Sequence, residues 1–170
     1  LMAGLLFFSN CGSDDTDEPD PGPTTPSAAV LDFILDGSSY VLDFDGIAAS
    51  ILGVTSPQVS WTNITMAGVT SSGETITMAF VFDGKSAGTY AFEGRPAEDP
   101  SDPTGLSLVI ASGITGVEYT AVNITLEVDS YNLLSEVAAE AAGTFGGTVV
   151  DEDTGNTFFI SGTFNTGDFD

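Results

Sequence analysis

The sequence predicts an all-β fold: one antiparallel β-sandwich or partly open barrel of roughly eight to ten short strands. Three observations lead there. From residue 29 onward, large apolar side chains recur at every second position, the mark of strands with one buried face. Turn signals rich in Asp, Gly and Ser separate these runs at short, even spacing. No stretch carries large apolar residues at helical period. Three segments follow from this pattern: residues 1–10, residues 11–28 and a β domain over 29–170.

The first segment, Leu1 to Asn10, has an apolar run, Leu1 to Phe8, far too short for a membrane-spanning helix, which needs ~20 residues. Its length suits the hydrophobic core of a signal peptide. The chain opens on Leu1 without an initiator Met or a basic leader, so it is expected to begin inside that signal. The run ends at Cys11, the only cysteine in the chain. This arrangement resembles a bacterial lipoprotein signal, cut just before a cysteine that then carries acyl chains. Ser9 fits that signal, whereas Phe8 and Asn10 depart from its preferred Leu and small residue. The following Ser13, Asp14 and Asp15 resemble the acidic tag that sends lipoproteins of the Bacteroidota to the outer face of the outer membrane. The resemblance implies a protein anchored in the outer membrane by lipid on Cys11 and exposed at the cell surface. A single cysteine also excludes an intramolecular disulfide framework.

Between Asp14 and Ala28, prolines 19, 21, 23 and 26 alternate with five acids and several threonines. Such a composition cannot build a core and reads as an extended, charge-swollen tether.

The domain opens with Leu31, Phe33 and Leu35 on one face, the Asp36-Gly37 turn, then Tyr40, Leu42 and Phe44. This is a hairpin. Residues 45–56 are small and mixed and read as irregular. Val59 and Trp61 share one parity while Ile64 and Met66 have the other, so a bulge near Thr62-Asn63 is expected. Ile76, Met78, Phe80 and Phe82 form the clearest strand, and Tyr90 and Phe92 a shorter one. Residues 94–105 carry three prolines and no apolar period, the longest loop of the domain. Leu106, Leu108 and Ile110 follow, then Val122, Ile124, Leu126 and Val128. Over 132–143 the alanines and glutamates favour helix by propensity. Yet Val137 is followed only by alanines, so no apolar stripe exists, and the segment reads as a strand entering 143–150, a short helix being the alternative. Phe145 and Val149, the turn over 151–156, and Phe158, Ile160 and Phe164 form the closing hairpin. Tight turns between successive strands predict a meander.

The stretch from Ala141 to Asn165, with Gly143-Thr144-Phe145 and Gly162-Thr163-Phe164, resembles the end of small β-rich surface lipoproteins of the Bacteroidota. Those proteins also join a lipidation signal, a tether and a domain opening on an Asp-Gly hairpin, here Asp36-Gly37. The resemblance implies fold and location. It brings no activity, so no catalytic residue is carried over.

Composition narrows the function. The chain holds 25 acidic residues against two basic ones, Lys85 and Arg95, and no histidine; its formal charge is −23. A phosphate backbone is repelled, which excludes nucleic acid as a partner. Peripheral binding to an anionic membrane surface is disfavoured for the same reason, so attachment must come from lipid or from a partner. Without histidine there is no His-based triad and no His-ligated zinc. The chain is therefore read as non-enzymatic; a carboxylate-pair glycosidase is the weaker alternative, with no pair singled out among so many acids.

Three candidate features remain. Asp151, Asp153 and Asn156 offer oxygens around Gly155 for a calcium ion, although Asp and Gly at a hairpin tip are also what a turn requires. Glu98-Asp99 with Asp102, and Asp43 with Asp45, are weaker versions of the same idea. Tyr119 and Tyr131 are the candidate glycan platforms, since Trp61, Tyr40 and Tyr90 share parity with core residues. The expected role is a lipid-anchored surface binding or adhesion module whose ligand the sequence does not name, a glycan being the candidate. A structural or protein-partner role, read through a sheet edge or an apolar patch, is the alternative.

Overall fold

The computed structural model describes residues 29–43, 50–52, 61–94, 104–112, 115–135 and 138–167. Cys11, Ser13, Asp14, Asp15, Asp45 and the 95–103 part of the long loop, including Glu98, Asp99 and Asp102, lie outside them. The described residues form ten strands and no helix: β1 Val30–Leu35, β2 Ser38–Asp43, β3 Ser50–Leu52, β4 Trp61–Thr70, β5 Thr75–Asp83, β6 Gly88–Gly94, β7 Gly105–Ser112, β8 Thr115–Ser135, β9 Ala138–Asp151 and β10 Thr157–Asn165.

All pairings are antiparallel. Neighbours run β2-β1-β10-β9-β8-β7-β5-β4, and β2 pairs back onto β4, which closes eight strands into a barrel. Closure rests on a short contact, Leu42 opposite Thr70 and Asp43 opposite Val69. Where β2 leaves β4, the three residues of β3 pair with Asn63–Thr65. Part of the segment read as irregular is therefore a strand, made so by a partner edge that local sequence does not reveal.

The meander holds except at β6, which pairs with β8 and not with its successor β7. The two share one edge of the long β8: β7 opposes Thr115–Thr120 and β6 opposes Ala121–Val128. They act as one interrupted strand.

The interior is filled by side chains, as eight strands permit. Phe80, Phe82, Phe164, Ile64, Met66, Ile124 and Leu126 are wholly enclosed. The Phe80 ring meets Phe145 at 5.0 Å and Phe164 at 5.6 Å between centroids.

The expected bulge at Thr62-Asn63 is absent. β4 and β5 keep one register from Trp61 opposite Asp83 to Val69 opposite Thr75. The inward residue is Thr62, whose hydroxyl donates to the Gly84 carbonyl at 2.6 Å; a satisfied polar group holds the position given to Trp61. The bulges lie in β8, at Ala121/Asn123, Val128/Ser130 and Leu133/Ser135. The first turns Ala121 inward and leaves Val122 exposed, reversing its expected place in the inward run.

The segment 132–143, expected as one strand, divides between two: 132–135 end β8 and 138–143 open β9. Ala139 and Ala141 are buried and face the interior beside Gly143. A Cβ at Gly143 would fall on the Glu127 carbonyl oxygen and within 3.0 Å of the Phe164 ring. Small residues here let β9 lie close against the bulged β8, and this pairing overrides helix propensity.

Candidate functional site

Chain direction alternates round the ring, so the β1–β2, β4–β5 and β9–β10 turns share one end of the barrel. Tyr119 lies at that end. Its ring meets Phe158 edge-on at 5.9 Å and stands opposite Asp151 in the ladder. Burial, then the nearby Asp151 and Tyr40, pushes its hydroxyl above the ordinary tyrosine value. Tyr131 lies towards the other end, with its hydroxyl 3.1 Å from Thr62 Oγ1. Because Thr62 already donates to Gly84, Tyr131 is the donor. Both rings are half-buried against the core, and the structure does not bring them together.

The Asp151 loop is built as a self-contained turn. Asp151 Oδ1 accepts the backbone N–H of Asp153 at 2.8 Å and of Thr154 at 3.1 Å. The Gly155 N–H reaches the Asp151 carbonyl at 2.8 Å. The Asn156 amide donates to Thr154 Oγ1 at 3.1 Å, and the Thr120 hydroxyl is bonded to Glu152. Asp153 and Asn156 are exposed. Among the described residues no three acidic, histidine or cysteine side chains are grouped to hold a metal ion.

Burial opposes ionisation of Asp151, but the donors from Asp153 and Thr154 prevail and hold its carboxyl below the ordinary aspartate value. A depressed folded pKa contributes stability above the unfolded value, and this is lost as pH falls through the folded one. Asp151→Ala is accordingly expected to lower the melting temperature at pH 7. The gap from the wild type should shrink as pH drops below about 3.9. A gap independent of pH would show that the carboxylate charge is not what caps the turn.

Among the described residues, a concave feature lies on the outer face of β2, β1, β10 and β9. Two cross-strand rows form it: Ser39–Ile34–Ser161–Gly146 and Val41–Asp32–Thr163–Thr144. Small residues dominate the first row, so the face dips there into a groove of about 510 Å³. The hydroxyls of Ser39, Thr144, Ser161 and Thr163 and the Asp32 carboxylate make no hydrogen bond to any described residue. Beyond the groove the next outward position on β10 is Phe159, 79% exposed. Val41, Ile34 and Phe159 step diagonally across three adjacent strands.

Phe159 is the residue that sequence reasoning passed over, and its signal was present. Phe158 and Phe159 are consecutive in a strand, so their side chains must point to opposite faces. With Phe158, Ile160 and Phe164 assigned inward, Phe159 can only point out.

Comparison with protein-family models, with curated proteins and with solved structures gives no match. The described residues form a closed eight-stranded barrel that carries on its outer wall a groove of apolar surface edged by hydroxyls and one carboxylate, with an exposed aromatic ring beside it.

Proposed function

We propose that this protein is a non-enzymatic binding module, held at the outer-membrane surface by lipid on Cys11, that binds a glycan on its outer face. The observation that carries this reading is Phe159, an exposed ring beside a groove whose hydroxyls and carboxylate bond to no other described residue. A sugar ring has an apolar C–H face to lay on an aromatic side chain, and hydroxyls that both donate and accept. Sites of this kind need few, convergent polar groups around an apolar floor. The Pro-rich tether supports the location, since it would hold the barrel clear of the lipid.

A protein partner is the second reading, favoured by the Val41–Ile34–Phe159 diagonal. Three side chains are small against the ~800 Å² that each partner of a stable protein complex covers. Apolar patches of a few hundred Å² are ordinary on monomers. Ring closure narrows the sheet-edge route without removing it, because β2 meets β4 over two residue pairs only.

The test is a glycan panel probed with the full chain and with Phe159→Ala, in calcium and again in EDTA. Phe159→Ala is expected to weaken binding about tenfold through lost stacking. Its melting temperature should stay within about 2 °C of the wild type, as for an exposed substitution. Loss of binding in EDTA would add a cation to the site, with the Asp151 loop as its candidate. Silence across the panel would overturn the glycan reading in favour of a protein ligand, to be sought by surface pull-down.

A further inference from the structure

We infer that the groove selects saccharides that carry no negative charge, with Asp32 as the acceptor for sugar hydroxyls; this rests on the glycan reading above. Asp32 sits in the second of the two rows, between Val41 and Thr163, and is only partly exposed. Among the described residues it is the one ionisable side chain lining the groove. Its two oxygens can accept only, so they call for donors, which a pair of neighbouring sugar hydroxyls supplies.

The surroundings add to its charge and do not offset it. Glu127 stands opposite Thr144 on the next strand, facing outward. Asp36 lies beside Phe159, its N–H donating to the Phe159 carbonyl at 3.0 Å. Among the described residues no basic side chain lies on this face. Lys85 belongs to the β5–β6 turn, at the end of the barrel away from the Asp36 turn. Three carboxylates thus frame the groove on a chain of formal charge −23, and the field over it is negative. A uronic-acid, sulfated or sialylated unit placed there would meet like charge within a Debye length at ordinary salt. An uncharged unit meets only the acceptor and the hydroxyls.

The experiment takes the backbone that the panel selects and compares two oligosaccharides of equal length by calorimetry with the full chain. One is neutral and the other carries C6 carboxylates, for example a β-1,4-glucan tetramer and its glucuronic-acid counterpart. At low salt the neutral oligomer is expected to bind about tenfold more tightly, the gap closing as salt screens the carboxylates. Asp32→Asn keeps shape and an acceptor oxygen while removing the charge, and is expected to narrow the gap to about threefold. Equal affinity for both oligomers, or tighter binding of the acid, would overturn the charge selection while leaving the glycan reading intact. A gap unchanged by Asp32→Asn would remove Asp32 from the role given to it. If no backbone on the panel binds, the glycan reading falls and this inference with it.

Discussion

Phe80→Ala is expected to lower the melting temperature by about 10–20 °C, the outcome of losing roughly 3–5 kcal/mol from a buried phenylalanine. Phe80 is fully enclosed on β5, flanked in the ladder by Ile64 and Leu106. Its ring reaches across the barrel to Phe145 on β9 and Phe164 on β10, so it ties one wall to the other. A closed ring of strands cannot collapse onto the space left behind, which places the cost at the upper part of the usual range. Set against a typical domain stability of about 5–15 kcal/mol, that is a large fraction of the total. Thermal melts followed by near-UV circular dichroism would measure it. Phe159→Ala is the internal control: the same deletion on the outer face should change stability by no more than about 0.5 kcal/mol. A drop of under about 3 °C for Phe80→Ala would mean that the rings do not brace the barrel.

Gly147→Ala is expected to cost about 2–4 kcal/mol, for two reasons that act together. Gly147 has φ of +152°, outside the range that L side chains favour. Its added Cβ would fall on the Asn123 carbonyl oxygen and 3.0 Å from Ile124 Cα. These β8 residues follow the bulge at Ala121/Asn123, where the long hairpin bends round the core. The glycine and the bulge form one kink, a device that lets a sheet curve into a closed barrel. Gly116→Ala is the contrast, because its Cβ would meet only ordinary contacts of 3.5–3.7 Å. That change should lie within about 0.5 kcal/mol of the wild type. Equal effects from the two substitutions would show that the close approach at Gly147 is relieved by small shifts.

Much of the architecture was readable residue by residue. Leu31-Phe33-Leu35, Ile76-Met78-Phe80-Phe82 and Phe145-Val149 all face inward as their alternation predicts. The preference for strand over helix in 132–143 also holds for its described residues, since alanines without an apolar stripe have no helical face to bury, although those residues belong to two strands, β8 and β9, and not to one. Errors came where one residue breaks the period. Thr62 takes an inward place because Gly84 satisfies its hydroxyl, and a bulge at Ala121/Asn123 turns Val122 outward. The candidate site shows the same division. Asp151, Asp153 and Asn156 could be picked out because they adjoin in sequence. Tyr119 and Tyr131 look like a pair in sequence and lie towards different ends of one long strand.

Residue order alone was enough to read an antiparallel β domain, most of the described core side chains and a strongly negative charge. Alternation carries that information because each residue's face depends only on its immediate neighbours. Closure of the sheet, through the brief pairing of β2 with β4, became visible in the folded chain alone. Folding also brought Asp32, Ser39, Thr144 and Ser161, from four strands, onto one groove beside Phe159. Which residues become neighbours across strands is set by register between distant segments, and a slip of one residue would turn each of these side chains to the other face.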